Sequence, residues 1–253
     1  MPKSSSSIES SIPPLTPHYA PDTSSAEQPE SPSTTSLINS LNLQKHIEGG
    51  YFAEIDRNPL IIPNPFLLSS PPNQLWTPTP PDSDDIAPGR TTLVPRSGDD
   101  LMRNASTSIF YLLTPRSPLG AFHRNKGRTV HTLIKGRGRY VLIHADEMDV
   151  KGEVEGKKRV ETFVVGHNVE RGERACWVVE GGKYKGTFLM LGEKDGGEGE
   201  GLLISETVIP GFEYSDHDFL TLERFRELVT EEQAIELEWM VRKGPPPEES
   251  ELL

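Results

Sequence analysis

Gly120-Ala121-Phe122-His123-Arg124-Asn125-Lys126-Gly127-Arg128-Thr129-Val130-His131-Thr132-Leu133-Ile134-Lys135-Gly136 reads as two short strands joined by a basic turn and closed by a glycine. One histidine ends the first strand and another lies within the second. Side chains of a strand alternate between its faces, so His123 and Asn125 share one face. Thr129, His131 and Leu133 share another, expected to continue it across the bend. Two imidazoles on an inward wall suit acid, base or ligand-holding roles.

Outward from this hairpin the same texture continues. Segments 107–113, 121–123, 129–134, 139–144, 159–165, 175–179, 187–191 and 202–209 alternate or run apolar between Gly- and Pro-rich turns. Short strands at such spacing predict an all-β sandwich or barrel. On the N-terminal side, Glu48-Gly49-Gly50 makes a sharp turn into an alternating strand over 51–57. Ser36 is read as the cap of a short helix showing Leu37, Ile38 and Leu41 on one face. At the other end Leu222, Phe225 and Leu228 share a helical face, and Thr230-Glu231-Glu232-Gln233 forms a capping box for a second helix. Residues 1–35 are rich in Ser, Pro and Thr with few large apolar side chains, and predict a disordered tail. Residues 63–100 predict a long surface insertion with Trp76 and Phe66 as anchors, and 244–253 a disordered acidic tail. A single domain is therefore expected over 36–243.

The chain has 253 residues, of which 34% are hydrophobic, and a formal net charge of −12. One cysteine excludes an intramolecular disulfide and a Cys-rich zinc site, and the neighbours of Cys176 suggest a small core residue. No apolar run reaches the roughly 18 residues of a membrane span, and the first residues lack the apolar segment of a secretory signal. A cytoplasmic location with no membrane partner is expected, with the nucleus as the alternative. Residues 1–35 hold one lysine against four acids, and residues 213–253 hold four bases against twelve acids. Between Leu101 and Ala145 there are no acids but eight Lys or Arg, among them Arg124 and Arg128. That island is either a face offsetting the acidic tail or a contact for an anionic ligand. Nucleic acid is not an expected partner, because the total charge opposes it and the island lacks interleaved aromatics.

Five motifs in order, EGGYF at 48–52, FYLLTP at 110–115, G-x-x-H-R at 120–124, the strand at 131–136 and SETVIPGFEYSDHDFL at 205–220, resemble the cupin_5 (DUF985) family of the cupin superfamily. The resemblance covers about residues 36–230 less the insertion. It implies a double-stranded β-helix, the cupin jelly roll, with a ligand pocket at the open end, and it names no reaction. It also allows a test of the superfamily's metal motif, G-x5-H-x-H-x3,4-E-x6-G. Anchored on His123 and Gly136, the second His falls on Asn125 and the Glu on Thr129. The second motif would fall at 179–185, with Gly182 as its central glycine and Lys185 where the last His belongs. Asn is a weak donor, Thr rarely binds, and a charged Lys repels cations. Neither a tightly bound metal nor another cofactor is expected.

What remains is a pocket of His123, Asn125, Arg128, Thr129, His131, Lys185 and Glu206, with Glu48 reaching its mouth or a neighbouring subunit. Glu206 stands alone in an apolar strand, so either a buried cation or a ligand is expected beside it, with Lys185 and Arg128 as the candidate cations. The first functional reading is binding of a small polar, anionic, sugar- or nucleotide-like ligand, phosphorylated ones included. The second is a metal-independent sugar or keto-acid isomerase or epimerase. There His123 would act as base, and Tyr184 or Tyr140 as acid. Strand parity opposes Tyr184, because an inward Lys185 turns it outward unless the Gly181-Gly182 turn shifts the register. The third is a structural, oligomer-forming protein with a degenerate pocket. His217, between Asp216 and Asp218, is read as a capping or packing residue. A homodimer is expected from pairing of edge strands.

Overall fold

Alternation with one buried face requires each strand to find a second layer, and two antiparallel sheets supply it. In the computed structural model, residues 5–19, 29–67, 92, 95, 99–147, 156–191 and 201–244 are described. Most of the insertion expected over 63–100, including Trp76, and the tail at 245–253 lie outside them.

The strands are β1 (Gln44–Lys45), β2 (Tyr51–Arg57), β3 (Ile61–Pro63), β4 (Met102–Asn104), β5 (Thr107–Leu113), β6 (Leu119–Asn125), β7 (Arg128–Lys135), β8 (Gly138–Ile143), β9 (Val160–Val165), β10 (Cys176–Val179), β11 (Tyr184–Leu189), β12 (Leu202–Ile209) and β13 (His217–Phe219). One sheet runs β1-β2-β5-β12-β7-β10 and the other β13-β6-β11-β8-β9, while β3 and β4 form a small ribbon. This is the all-β jelly roll. The helices are α1 (Pro32–Ser40), α2 (Leu222–Leu228) and α3 (Glu231–Leu237). Among the described residues, no helix is long and apolar enough to cross a membrane.

The core has three layers. Between the sheets, Tyr111, Leu113, Leu133, Tyr140, Leu142, Phe163, Trp177, Leu189, Leu202 and Ile204 interlock. Outside the five-stranded sheet, Phe122, Val141, Ile143, Tyr184 and Phe188 meet Phe225, Leu228, Leu237 and Met240 of the C-terminal segments. Outside the six-stranded sheet, Leu37, Ile38 and Leu41 of α1 cover Leu112 and Leu203. The Thr230–Gln233 capping box forms as the residues dictate.

Three expectations are corrected. First, α1 starts before Ser36: Ser31 caps it through Thr34 N, with Pro32 in the first turn, a position suited to a residue without an N–H. Second, part of the tail expected to be disordered packs on the body. Leu15 is buried with Ile8 and Ile12 against the outer core. The Glu236 carboxylate accepts from Ser6 Oγ at 2.8 Å and from Leu15 N at 2.7 Å. A few apolar side chains and one well-placed acceptor suffice to hold a segment whose composition is otherwise polar. Third, Cys176 is exposed, on the outward face of an edge strand.

Candidate functional site

The strand registers sort the interior into an apolar end and a polar end. Along β12 the inward row runs Leu202, Ile204, Glu206, Val208, and along β7 it runs Leu133, His131, Thr129. Glu206 pairs with His131, His131 with Trp177, and Lys185 with both His123 and Leu142. The β6–β7 and β10–β11 turns meet there, Gly182 N donating to Asn125 O at 3.0 Å. His123, Asn125, Thr129, His131, Lys185 and Glu206 are all buried.

Glu48 reaches this end through its two glycines. Gly49 has φ +104°, and a Cβ there would sit 2.1 Å from the carbonyl oxygen of Leu119. The loop is fastened to β6 by Ala121 N donating to Glu48 O at 2.8 Å, and to β5 by Tyr111 Oη donating to Gly49 O at 2.9 Å. This close approach brings the Glu48 carboxylate beside His123. Gly49→Ala is expected to cost roughly 1–3 kcal/mol through strain at positive φ, before any displacement of Glu48. A thermal melt checks it, and an unchanged Tm would refute the role given to the turn.

Glu48 Oε2 lies 3.2 Å from His123 Nε2, and Oε1 lies 3.0 Å from His217 Nε2. The two imidazoles stack with centroids 5.3 Å apart. His123 Nδ1 faces Ala121 O at 2.8 Å. A carbonyl only accepts, so Nδ1 carries the hydrogen and neutral His123 turns the lone pair of Nε2 toward the carboxylate. Burial first, then the Lys185 ammonium, holds His123 well below the ordinary histidine value. Burial pulls His217 down to about 3 and pushes Glu48 up. His46 accepts from Glu48 N through Nδ1 at 3.3 Å and is kept neutral chiefly by burial.

His217 is the member of this cluster that the sequence alone reads as a capping or packing residue. It lies on the three-residue strand β13, opposite Asn125 of β6. Its flanking acids anchor the strand. Asp216 Oδ2 takes Arg103 Nε at 2.6 Å, and Asp218 Oδ1 takes Arg124 Nε at 3.0 Å. The basic island is thus largely matched to acids from other parts of the chain.

From the same sheet as His123, Lys185 reaches across to the facing wall, where its Nζ donates to Glu206 Oε2 at 2.6 Å and to His131 Nε2 at 3.1 Å. His131 stacks on Trp177 at 4.9 Å, with Tyr140 edge-on at 5.5 Å. Burial alone would raise Glu206, but Lys185 and His131 override it and hold the carboxyl well below the usual range.

The expected site residues divide accordingly. Glu48, His123, Asn125, Thr129, His131, Lys185 and Glu206 come together. Arg128 does not: it is more than half exposed and faces Glu180 at 3.2 Å. Tyr184 does not either. Parity turns it outward into the helix-facing core, with the Arg124 guanidinium 4.7 Å above its ring, so it is no partner for His123. Among the described residues, Asn125 Oδ1 and Trp177 Nε1 are buried without a hydrogen-bond partner. A cavity of about 480 Å³ lined by Tyr19, Glu30, Thr34 and Arg116 is separate from these groups. There Glu30 accepts from Thr114 at the apolar end of β5.

Comparison with known proteins agrees with this architecture. The family model described as Cupin superfamily (DUF985) matches residues 35–220. The Saccharomyces cerevisiae protein YML079W is 39% identical over 214 residues, covering 84% of this chain and 88% of its own. Among solved structures, a hypothetical protein from Leishmania major is 25% identical with a TM-score of 0.57, covering 83% of this chain and 98% of its own. Protein SO0799 from Shewanella oneidensis, 17% identical with a TM-score of 0.53 and covering 83% and 97%, shares the fold.

Proposed function

The chain belongs to the Cupin_5 (DUF985) family of the cupin superfamily, and from that premise we propose that it binds a small polar molecule at the polar end of the barrel. One observation carries the reading: six ionisable side chains, Glu48, His123, His131, Lys185, Glu206 and His217, converge inside an otherwise apolar jelly roll. Burying such groups costs stability that Leu and Val would not cost, so a barrel kept only as a scaffold would be filled with hydrocarbon. The unpartnered Asn125 Oδ1 and Trp177 Nε1 add to the cost, and a polar ligand offers them partners. Lys185 is neutralised by Glu206, and Arg128 stands at the surface. Both facts favour a ligand of hydroxyl and carbonyl groups over a phosphate. Native mass spectrometry of the purified chain, followed by release under denaturing conditions, tests this. A stoichiometric polar molecule that is lost in His123→Ala and Asn125→Ala is the expected result. An empty wild-type barrel that also takes up no member of a polar-metabolite panel would sink the reading in favour of a structural role.

A second reading is favoured by one further observation, the locked tautomer of His123. A neutral imidazole lone pair beside a carboxyl group whose proton affinity is raised is an acid–base pair. Proton transfer next to a carbonyl, as in isomerisation, would use His123 as base and Glu48 as its proton-exchanging neighbour. Deuterium incorporation from D2O into the bound molecule, abolished by His123→Ala, checks it.

A further inference from the structure

We propose that Glu48, His123 and His217 form a binding site for one divalent first-row transition-metal ion. The inference rests on reading the polar barrel end as the functional site, but it concerns different atoms from the superfamily's metal motif, of which only His123 is shared.

Three observations carry it. A carboxylate oxygen of Glu48 and one ring nitrogen from each of His123 and His217 lie within 4.8 Å of one another. The carboxylate meets one imidazole with each oxygen, Oε2 at 3.2 Å from His123 Nε2 and Oε1 at 3.0 Å from His217 Nε2, so an ion binding at about 2.0–2.1 Å is within reach of all three side chains. The ligand orientation is already set. Ala121 O holds His123 by Nδ1 at 2.8 Å, which is how imidazole ligands are commonly held from behind. That leaves the Nε2 lone pair opposite a carboxylate oxygen, two acceptors 3.2 Å apart, an arrangement that a shared cation resolves.

The site also has a way in and a charge that permits binding. Glu48 keeps 10% of its side chain exposed, whereas His123 keeps 5% and His217 none. Lys185, which in the sequence argues against a cation nearby, is paired with Glu206 at 2.6 Å. Two imidazoles and one carboxylate, with remaining positions open, suit zinc, iron(II) or manganese(II). Asn125, opposite His217 on the neighbouring strand, has an unpartnered buried Oδ1 that a metal-bound water would satisfy. A second His–carboxylate group among the described residues, His144 with Glu147 and Glu161, differs in kind, because Arg159 and Lys183 already occupy it.

The test is metal titration of the chelator-treated full chain with Zn2+ and Co2+, read by native mass spectrometry and by visible absorption of the cobalt form. One ion per chain is expected, with d–d bands and no thiolate charge-transfer band. Glu48→Gln and His217→Gln should each weaken binding by roughly 100-fold or more, beyond what the loss of an outer partner causes. His144→Gln should leave binding unchanged. Should His217→Gln fail to fold, the near-isosteric Glu48→Gln decides alone. No uptake by the wild-type chain overturns the proposal, as does equal affinity in Glu48→Gln, or a thiolate band that assigns the ion to exposed Cys176. A chain that binds one ion but neither retains nor takes up an organic molecule upholds this site and sinks the ligand reading; a bound molecule without an ion does the reverse.

Discussion

Lys185→Met should destabilise the chain by about 3–5 kcal/mol, the range found when one partner of a buried ion pair is removed. The substitution keeps the volume of the stem but leaves the Glu206 carboxylate in the barrel with only His131 nearby. Glu206 must then either hold an uncompensated charge or take up a proton. For a chain of this size, the loss corresponds to a fall in Tm of roughly 10 °C or more. The double variant Lys185→Met/Glu206→Gln should recover much of that loss, because the pair's desolvation penalty leaves with its charges. Chemical denaturation of wild type, both single variants and the double variant measures the coupling. Additive losses would mean that Lys185 and Glu206 do not act as the buried pair their 2.6 Å contact indicates.

Acid should unfold the metal-free chain steeply, beginning below about pH 6.5. His46, His123, His131 and His217 all titrate below the ordinary histidine value in the folded chain, chiefly because they are buried, His217 at about 3. Between those values and about 6.5, the unfolded chain binds protons that the folded chain refuses, so stability falls as pH falls. Glu48 works in the opposite sense: its carboxyl is raised, so the folded chain gains a proton first and offsets one histidine. Each net proton that the folded chain refuses corresponds to about 1.4 kcal/mol per pH unit, so several together make the Tm fall by some degrees per unit. Glu206, held low, adds its own loss as pH falls below the carboxylate range. Thermal melts of chelator-treated protein from neutral pH to about pH 5 check the slope. A flat Tm across that interval would show that the buried imidazoles are charged or solvated in the folded state.

Strands β2, β5 and β12 keep the bounds read from the sequence. Strands β6 and β7 are as long but extend beyond the segments read over 121–123 and 129–134, because Arg124, Asn125 and Arg128 read as part of the polar, basic turn between them. The strand read over 187–191 begins instead at Tyr184, which sets Lys185 inside a pairing rather than in a turn. Strands β1, β3, β4 and β13 have two or three residues and no period to read. His217 was lost with β13. Its neighbours Asp216 and Asp218 resemble helix-capping acids until their partners Arg103 and Arg124 are known, and Arg103 stands 113 residues away from Asp216.

The site divides in the same way. The sequence alone determined which side chains on a strand share a wall: His123 with Asn125, Thr129 with His131, and Lys185 opposed to Tyr184. It also required a buried partner for Glu206, a cation or a ligand, because an isolated carboxylate in an apolar strand is costly, and it marked Gly49-Gly50 as a close approach. These are local properties, set by a two-residue repeat and by the chemistry of single residues. Only the tertiary structure decided that Lys185 and not Arg128 is the cation, that Leu119 is what Gly49 approaches, and that Glu48, His123 and His217 converge. Those outcomes depend on the register between strands distant in the chain, where shifting a pairing by one residue reverses every side chain, and no local pattern encodes that choice.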